Sequence, residues 1–435
     1  MPPEANLRSS SPELKGPLTF VGFGFGPIQA GLFVLEAQRS GNFGRIVIAE
    51  VLPEVVKSVR ENGGEFHLNV AREDGIESIV LGPIEMYDPS DDHDRERLVS
   101  AVAGASEIAT AVPSVRFYKS GSPGSIHRIL ATGLERSGGK PAIVYAAENH
   151  NHAAEILEDA VLSEIMPGAR GRVRASTRFL DTVIGKMSAV ISDPGRIVKT
   201  GLRTITSRDP RAFLVEAFNR ILISAVRFPE ETPFRRGIEV FEEKPDLLPF
   251  EEAKLHGHNA AHALAAYLAA MRSLERLEEL QKVPGAIDLV RRAFLEEAGE
   301  ALIRKWKAAD PFFSPAGIHA YVEDLMARIF NPYLGDLVER VARDPARKLG
   351  WDDRLVGTIR LCMSQGITPN RFALGAAAAL RFHERDALGE GSSPAAILDR
   401  IWRPSTPDPA ERKEVLRLIE EAIDELMFNP DFTKL

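Results

Sequence analysis

The first apolar run, Leu18-Thr19-Phe20-Val21, is short and ends in Gly22-Phe23-Gly24-Phe25-Gly26. Pro27 to Ala37 then repeats its apolar residues at helical spacing, with Pro27 suited to a first turn where a backbone N–H has no partner anyway. A second apolar run, Arg45 to Ala49, ends at Glu50. Strand, glycine turn, helix and strand predict a βαβ unit with a parallel sheet. The alternation continues. Phe66–Val70 with Ile79–Leu81 reads as a hairpin-like pair, and Glu107–Val112 and Ala142–Ala146 read as strands. A last β-rich portion covers Leu214–Val226 and Ile238–Val240. After Pro249 the apolar period is helical almost throughout, as in Asn259–Leu280, Ala286–Ala308, Gly317–Phe330, Pro369–Arg385 and Pro409–Met427. The expected fold is therefore α/β, an N-terminal Rossmann-type parallel-sheet domain followed by an all-α C-terminal domain. We place a disordered lead-in at 1–16, the nucleotide-binding domain at 17–248 and the helical substrate domain at 249–435.

Composition narrows the function. The 435 residues carry 54 Lys and Arg against 62 Asp and Glu, a net charge of −8, with no basic run interleaved with aromatics. That balance argues against a nucleic-acid partner. A single cysteine, Cys362, cannot form an internal disulfide. No apolar stretch is long enough to span a bilayer, and residues 1–17 lack an apolar secretory core. A cytoplasmic protein without a membrane partner is expected, as a monomer or a homodimer.

The glycine turn is the first candidate for chemistry. Gly24 and Gly26 let a phosphate approach the backbone, and the following helix start offers free N–H groups. The third fingerprint glycine is replaced by Gln29, with Ala30 and Gly31 just after it. Glu50, at the end of the second strand, is where an acid meets the adenosine ribose, so NAD is expected over NADP.

The second candidate is Lys254-Leu255-His256-Gly257-His258-Asn259-Ala260-Ala261-His262. At ~100° per residue, Lys254, His258 and His262 fall in an arc of about 80°, and Asn259 widens it to about 140°. An amine of depressed pKa beside an amide fits alcohol oxidation: the amine takes the hydroxyl proton and the amide stabilises the oxygen. Two other readings remain open, a metal site built on His256, His258 and His262, and a polar helix start.

Lys254, Asn259 and His262 reproduce the K-x-x-x-x-N-x-x-H pattern of the polyol-specific long-chain dehydrogenases. The chain resembles the mannitol-1-phosphate 5-dehydrogenase branch of that family. Phe23-Gly24-Phe25-Gly26 with Gly31, Ala147-Glu148-Asn149, the helix Lys254–Leu268, and Asn331-Pro332-Tyr333-Leu334 through Leu355 are similar to its segments. The resemblance implies a metal-independent enzyme with its active site between the two domains. It implies Lys254 as general acid/base, Asn149 and Asn259 as polarising amides, and His262 as a substrate-orienting group. Gly24, Gly26, Gly31, Glu50, Thr110 and Ala111 would hold NAD. Arg347, Lys348 and Arg354 are candidates for a substrate phosphate, or a solvated helix face. The implied substrate is a sugar alcohol or sugar phosphate. A hexuronate or polyol 2-dehydrogenase, and a catalytically weak NAD-binding sensor or scaffold, are the alternatives. Ile184 stands where the resemblance leads us to expect an aspartate, and Pro113 where a glycine is usual.

Overall fold

The computed structural model describes residues 17–229, 232–386, 393–428 and 432–434; the lead-in expected at 1–16 lies outside them. The chain forms two compact units, the first ending at Leu247 and the second beginning at Leu248.

The first unit contains β1 (Leu18–Phe23), β2 (Phe43–Ala49), β3 (Phe66–Ala71), β4 (Ile76–Leu81), β5 (Glu85–Tyr87) and β6 (Glu107–Thr110). It continues with β7 (Ala142–Ala146), β8 (Thr177–Val183), β9 (Ser188–Ile191), β10 (Ala212–Glu216), β11 (Leu222–Ser224) and β12 (Glu242–Lys244). The main sheet has the order β12-β11-β8-β7-β6-β1-β2-β5. From β5 to β8 every neighbouring pair is parallel, the doubly wound order with its switch point between β1 and β6. Alternate residues of β1 explain why both sheet faces are covered. Phe20 packs into one core cluster, with Phe33, Ile48 and Tyr145, while Val21 and Phe23 pack into another, with Leu98, Ile129 and Val161.

The sheet is not wholly parallel, as the sequence had suggested. β11 joins β8 antiparallel, and β3, β4, β9 and β10 form a separate mixed sheet in the order β4-β3-β10-β9. Its β3–β4 pair is the antiparallel hairpin expected from the sequence. The strand expected at Ile238–Val240 does not form. The N–H groups of Gly237 and Ile238 instead donate to the carboxylate of Glu107, so that stretch has no ladder partner.

Glu107 is fully buried at the start of β6 and also accepts from the Tyr145 hydroxyl at 2.8 Å. Burial raises its pKa from 4.5 to about 7 despite these donors. The folded state therefore holds a proton that the unfolded chain releases near pH 4.5. Stability falls as pH rises through this window and levels off above about 7. The shift corresponds to about 3 kcal/mol. Urea titrations between pH 5 and 8.5 should show this decline in the wild type and a shallower one in Glu107→Gln.

The second unit is helical. Among its described residues β structure is limited to an isolated bridge between Arg276 and Leu337. The helix expected from Asn259 stops at Met271, because Ser273 adopts a left-handed φ of 53°. Ala286–Arg292, a π turn at Ala293–Gly299 and Glu300–Trp306 run on as one helical stretch, and Pro315–Ile329, Asn370–Asp386 and Pro409–Phe428 are further helices.

Candidate active-site residues

The glycine turn lies at the switch point. Gly24 has φ +87°, and a Cβ there would stand 2.8 Å from the Ala111 carbonyl, so the turn after β1 closes directly on the loop after β6. A Cβ on Gly26 would meet nothing within 4 Å, which leaves the backbone open to a ligand. Gly31 is needed for packing instead: its Cβ would meet the Val215 side chain at 2.7 Å. The helix opens with a π turn, Gln29–Val34. Gln29 is fully buried, with its side chain over Gly22 in the space a Cβ would take. The missing fingerprint glycine is thus matched by a glycine on the strand.

Glu50 is buried against this turn. One carboxylate oxygen accepts the Phe25 N–H at 2.8 Å, and the other accepts those of Val51 at 2.7 Å and Leu52 at 2.9 Å. A carboxylate has about four acceptor sites, so one remains for a ribose hydroxyl. The donor set therefore fits a dinucleotide: an open glycine, a helix start and a fixed acid.

At the neighbouring strand ends, Glu148 ties two loops together. It accepts the Thr110 hydroxyl at 2.9 Å, the Val112 N–H at 3.0 Å and the Tyr118 hydroxyl. Burial raises its pKa even so. The Thr110 hydroxyl is thereby committed to the protein, while Ala111 presents backbone. Asn149 follows Glu148 on an exposed loop. Ile184 packs against the apolar core, and the carboxylate that β8 supplies is Asp181. Asp181 accepts the Ala154 N–H at 3.0 Å, and burial, with Glu155 beside it, raises its pKa to about 6.

In the second unit, Lys254 sits on a second π turn, Ala253–Asn259, that runs into the helix Ala260–Met271. A π turn holds more residues than an α turn, so it displaces the Lys254 stripe from ideal α spacing; such turns recur at functional sites. Gly257 allows this segment to pack on the Phe294 ring. Lys254 is half-buried, and desolvation, then the charge of Arg354, lowers its pKa to about 8. Asn259 is half-buried at the junction with the α-helix.

His262 Nε2 lies 3.0 Å from an Asp336 oxygen, and the other Asp336 oxygen accepts from Arg340. Burial alone would raise the Asp336 pKa, but His262 and Arg340 outweigh it and the net shift is downward. The sequence alone assigns Asp336 and Arg340 no role, although their i,i+4 spacing is visible in it. His256 Nδ1 lies 3.1 Å from the Thr358 hydroxyl, and burial lowers its pKa to about 4. Among the described residues no group of three His, Cys, Asp or Glu side chains is placed to hold a metal ion.

The three anion candidates separate. Arg347 is exposed and paired with Asp344 at 3.1 Å. Lys348 is buried and donates to the Arg343 carbonyl. Arg354 is mostly buried, paired with Asp353 at 2.8 Å, and its charge reaches Lys254.

Residues 246–433 match the family model for the mannitol dehydrogenase C-terminal domain. A mannitol-1-phosphate 5-dehydrogenase of Exiguobacterium sibiricum is 30% identical over 369 residues, covering 84% of this chain and 85% of that protein. The chain belongs to the mannitol dehydrogenase family. It is a polyol dehydrogenase by class. Another family member, the mannitol-1-phosphate 5-dehydrogenase of Bacillus subtilis, is 28% identical over 397 residues, covering 89% of this chain and 96% of that one. The mannitol dehydrogenase fold is also seen in solved structures. A D-sorbitol dehydrogenase in substrate-free form aligns with a TM-score of 0.75 at 13% identity, covering 95% of this chain and 94% of that one. Mannitol 2-dehydrogenase of Pseudomonas fluorescens, in complex with NAD and D-mannitol, aligns with a TM-score of 0.65 at 16% identity, covering 97% and 94%. No helix among the described residues is long and apolar enough to cross a membrane.

Proposed function

We propose that this chain is an NAD-dependent dehydrogenase of a sugar alcohol or sugar phosphate, of the mannitol 1-phosphate and fructose 6-phosphate type, with Lys254 as general acid/base. The observation that carries the reading is the Lys254 amine, lowered to about 8 on a π turn that also holds Asn259. An ordinary lysine is almost wholly protonated at neutral pH; this one has a usable fraction of free base.

When bound, NAD supplies the hydride acceptor. Gly24, Gly26, Glu50 and the Thr110–Ala111 strand end would hold it, with Gly31 packing the helix behind the turn, and Glu50 would repel a 2′-phosphate. Lys254 Nζ takes the hydroxyl proton as the carbinol C–H pair leaves as hydride, and returns a proton when the ketone is reduced. Asn259 donates amide hydrogens to the oxygen, which stabilises its developing charge without a second proton transfer, and Asn149 is the second polarising amide that the family resemblance implies. His262, fixed by Asp336, orients the substrate. Of the three anion candidates, Arg354 provides positive charge for a phosphate, while Arg347 is engaged by Asp344 and Lys348 by the Arg343 carbonyl. The sequence relatives named mannitol-1-phosphate 5-dehydrogenase support this branch over a hexuronate or polyol 2-dehydrogenase.

A substrate panel tests the reading. With NADH and fructose 6-phosphate, absorbance at the reduced-nicotinamide band should fall, and mannitol 1-phosphate with NAD should raise it. Turnover of fructuronate or unphosphorylated mannitol alone would favour the alternative branch. Tight NAD binding with no turnover of any of them would favour a sensor.

A further inference from the structure

We propose that His258 is a substrate-binding residue whose Nδ1 hydrogen-bonds a hydroxyl of the sugar-alcohol chain and so selects among polyols. This rests on the dehydrogenase reading above and adds a specificity determinant to it.

The helix carries three histidines within seven residues, and the structure treats them differently. His256 is paired with Thr358, and His262 with Asp336. His258 is buried, and its Nδ1 has no hydrogen-bond partner among the described residues. A buried polar nitrogen left unmade costs free energy, and native chains rarely keep one without a ligand or function to account for it. Its position supplies the account. His258 is four residues after Lys254 and four before His262, on the stripe that carries the proposed base and the proposed orienting group. Its ring meets the His262 ring edge-on, with centroids 6.1 Å apart. That edge-on contact does not satisfy the His258 Nδ1, and the His262 Nε2 faces Asp336.

The neighbours also fix its charge. Burial, then Arg328, His262, Lys254 and Arg354, hold His258 well below its usual pKa. A neutral imidazole has one donor and one acceptor nitrogen, and a hydroxyl can answer Nδ1 in either role. A protonated ring here would place like charge beside Lys254, Arg328 and Arg354. Selection by hydrogen bond to a hydroxyl is the discrimination that apolar pockets achieve poorly.

The test uses the full chain with fructose 6-phosphate, NADH and mono-deoxy analogues of that sugar phosphate at each carbon that bears a free hydroxyl and is not undergoing reduction. Loss of one neutral hydrogen bond should raise KM about 3- to 10-fold in His258→Leu, with kcat little changed. One deoxy analogue should be penalised in the wild type and not in His258→Leu. His258→Gln, which keeps a donor and an acceptor, should recover most of the discrimination. Wild-type kinetics and unchanged discrimination in His258→Leu, with a higher Tm, would show a packing role and overturn the inference. Should the leucine variant misfold, a wild type that penalises no analogue overturns it equally. An inactive Lys254→Ala beside a normal His258→Leu sinks this inference alone; an active Lys254→Ala sinks the dehydrogenase reading and this one with it.

Discussion

Lys254→Ala lowers kcat by about 10²- to 10⁴-fold, the range expected when a positioned general acid/base is lost. NAD affinity should stay within about twofold, because the groups assigned to the cofactor are in the other unit. The size of the effect follows from what replaces the amine. Water near pH 8 is a far weaker base, and no other side chain on the stripe can act for it: His258 is held neutral with a lowered pKa, and His262 is engaged by Asp336. The variant should fold, since an alanine is at home on a helix flanked by Ala253, Ala260 and Ala261. Circular dichroism together with stopped-flow turnover separates the two outcomes.

Glu50→Ala is expected to weaken NAD binding about tenfold or more and to destabilise the first unit. Two losses combine. The ribose acceptor disappears, worth about 1.5–3 kcal/mol for a hydrogen bond to a charged group. The buried Phe25 N–H also loses its acceptor, and leaving a buried donor unpaired costs about 1–3 kcal/mol, whereas Val51 and Leu52 are exposed and their N–H groups can turn to water. Glu50→Gln keeps an acceptor but removes the charge, so it should lose less stability and narrow the preference for NAD over NADP. Isothermal titration with both dinucleotides, paired with thermal melts, reads both effects. A Glu50→Ala protein with native melting and unchanged NAD affinity would remove Glu50 from the cofactor site.

These sites were legible in the sequence to different depths. The βαβ start was clear because Phe20 and Val21 face opposite cores on one short strand, and both had to be apolar. β12 was invisible: Glu242-Glu243-Lys244 is a three-residue polar edge held by its pairing with β11. Ile238 misled because it is buried for a different reason, as part of the segment clasped by Glu107. The Lys254–His262 stripe was readable from spacing, but the π turn was not, since no residue signature marks an extra residue in a helical turn. Gln29 looked like a broken fingerprint. Only the structure pairs it with Gly22, a residue seven positions earlier that no local pattern connects to it. Glu148 and Asp336 were present in segments already noted, yet their work depends on partners in distant elements, Tyr118 and His262.

The central claim is that the Lys254 amine titrates near pH 8 and does the proton transfer. The pH dependence of kcat/KM for sugar-alcohol oxidation by NAD tests it most directly. Only the free amine accepts a proton, so oxidation should rise as pH increases through about 8 and level off above it, while reduction falls over the same range. In Lys254→Ala the residual rate should lack that inflection. An inflection near pH 8 that persists unchanged in the alanine variant would assign the proton to another group and contradict the account.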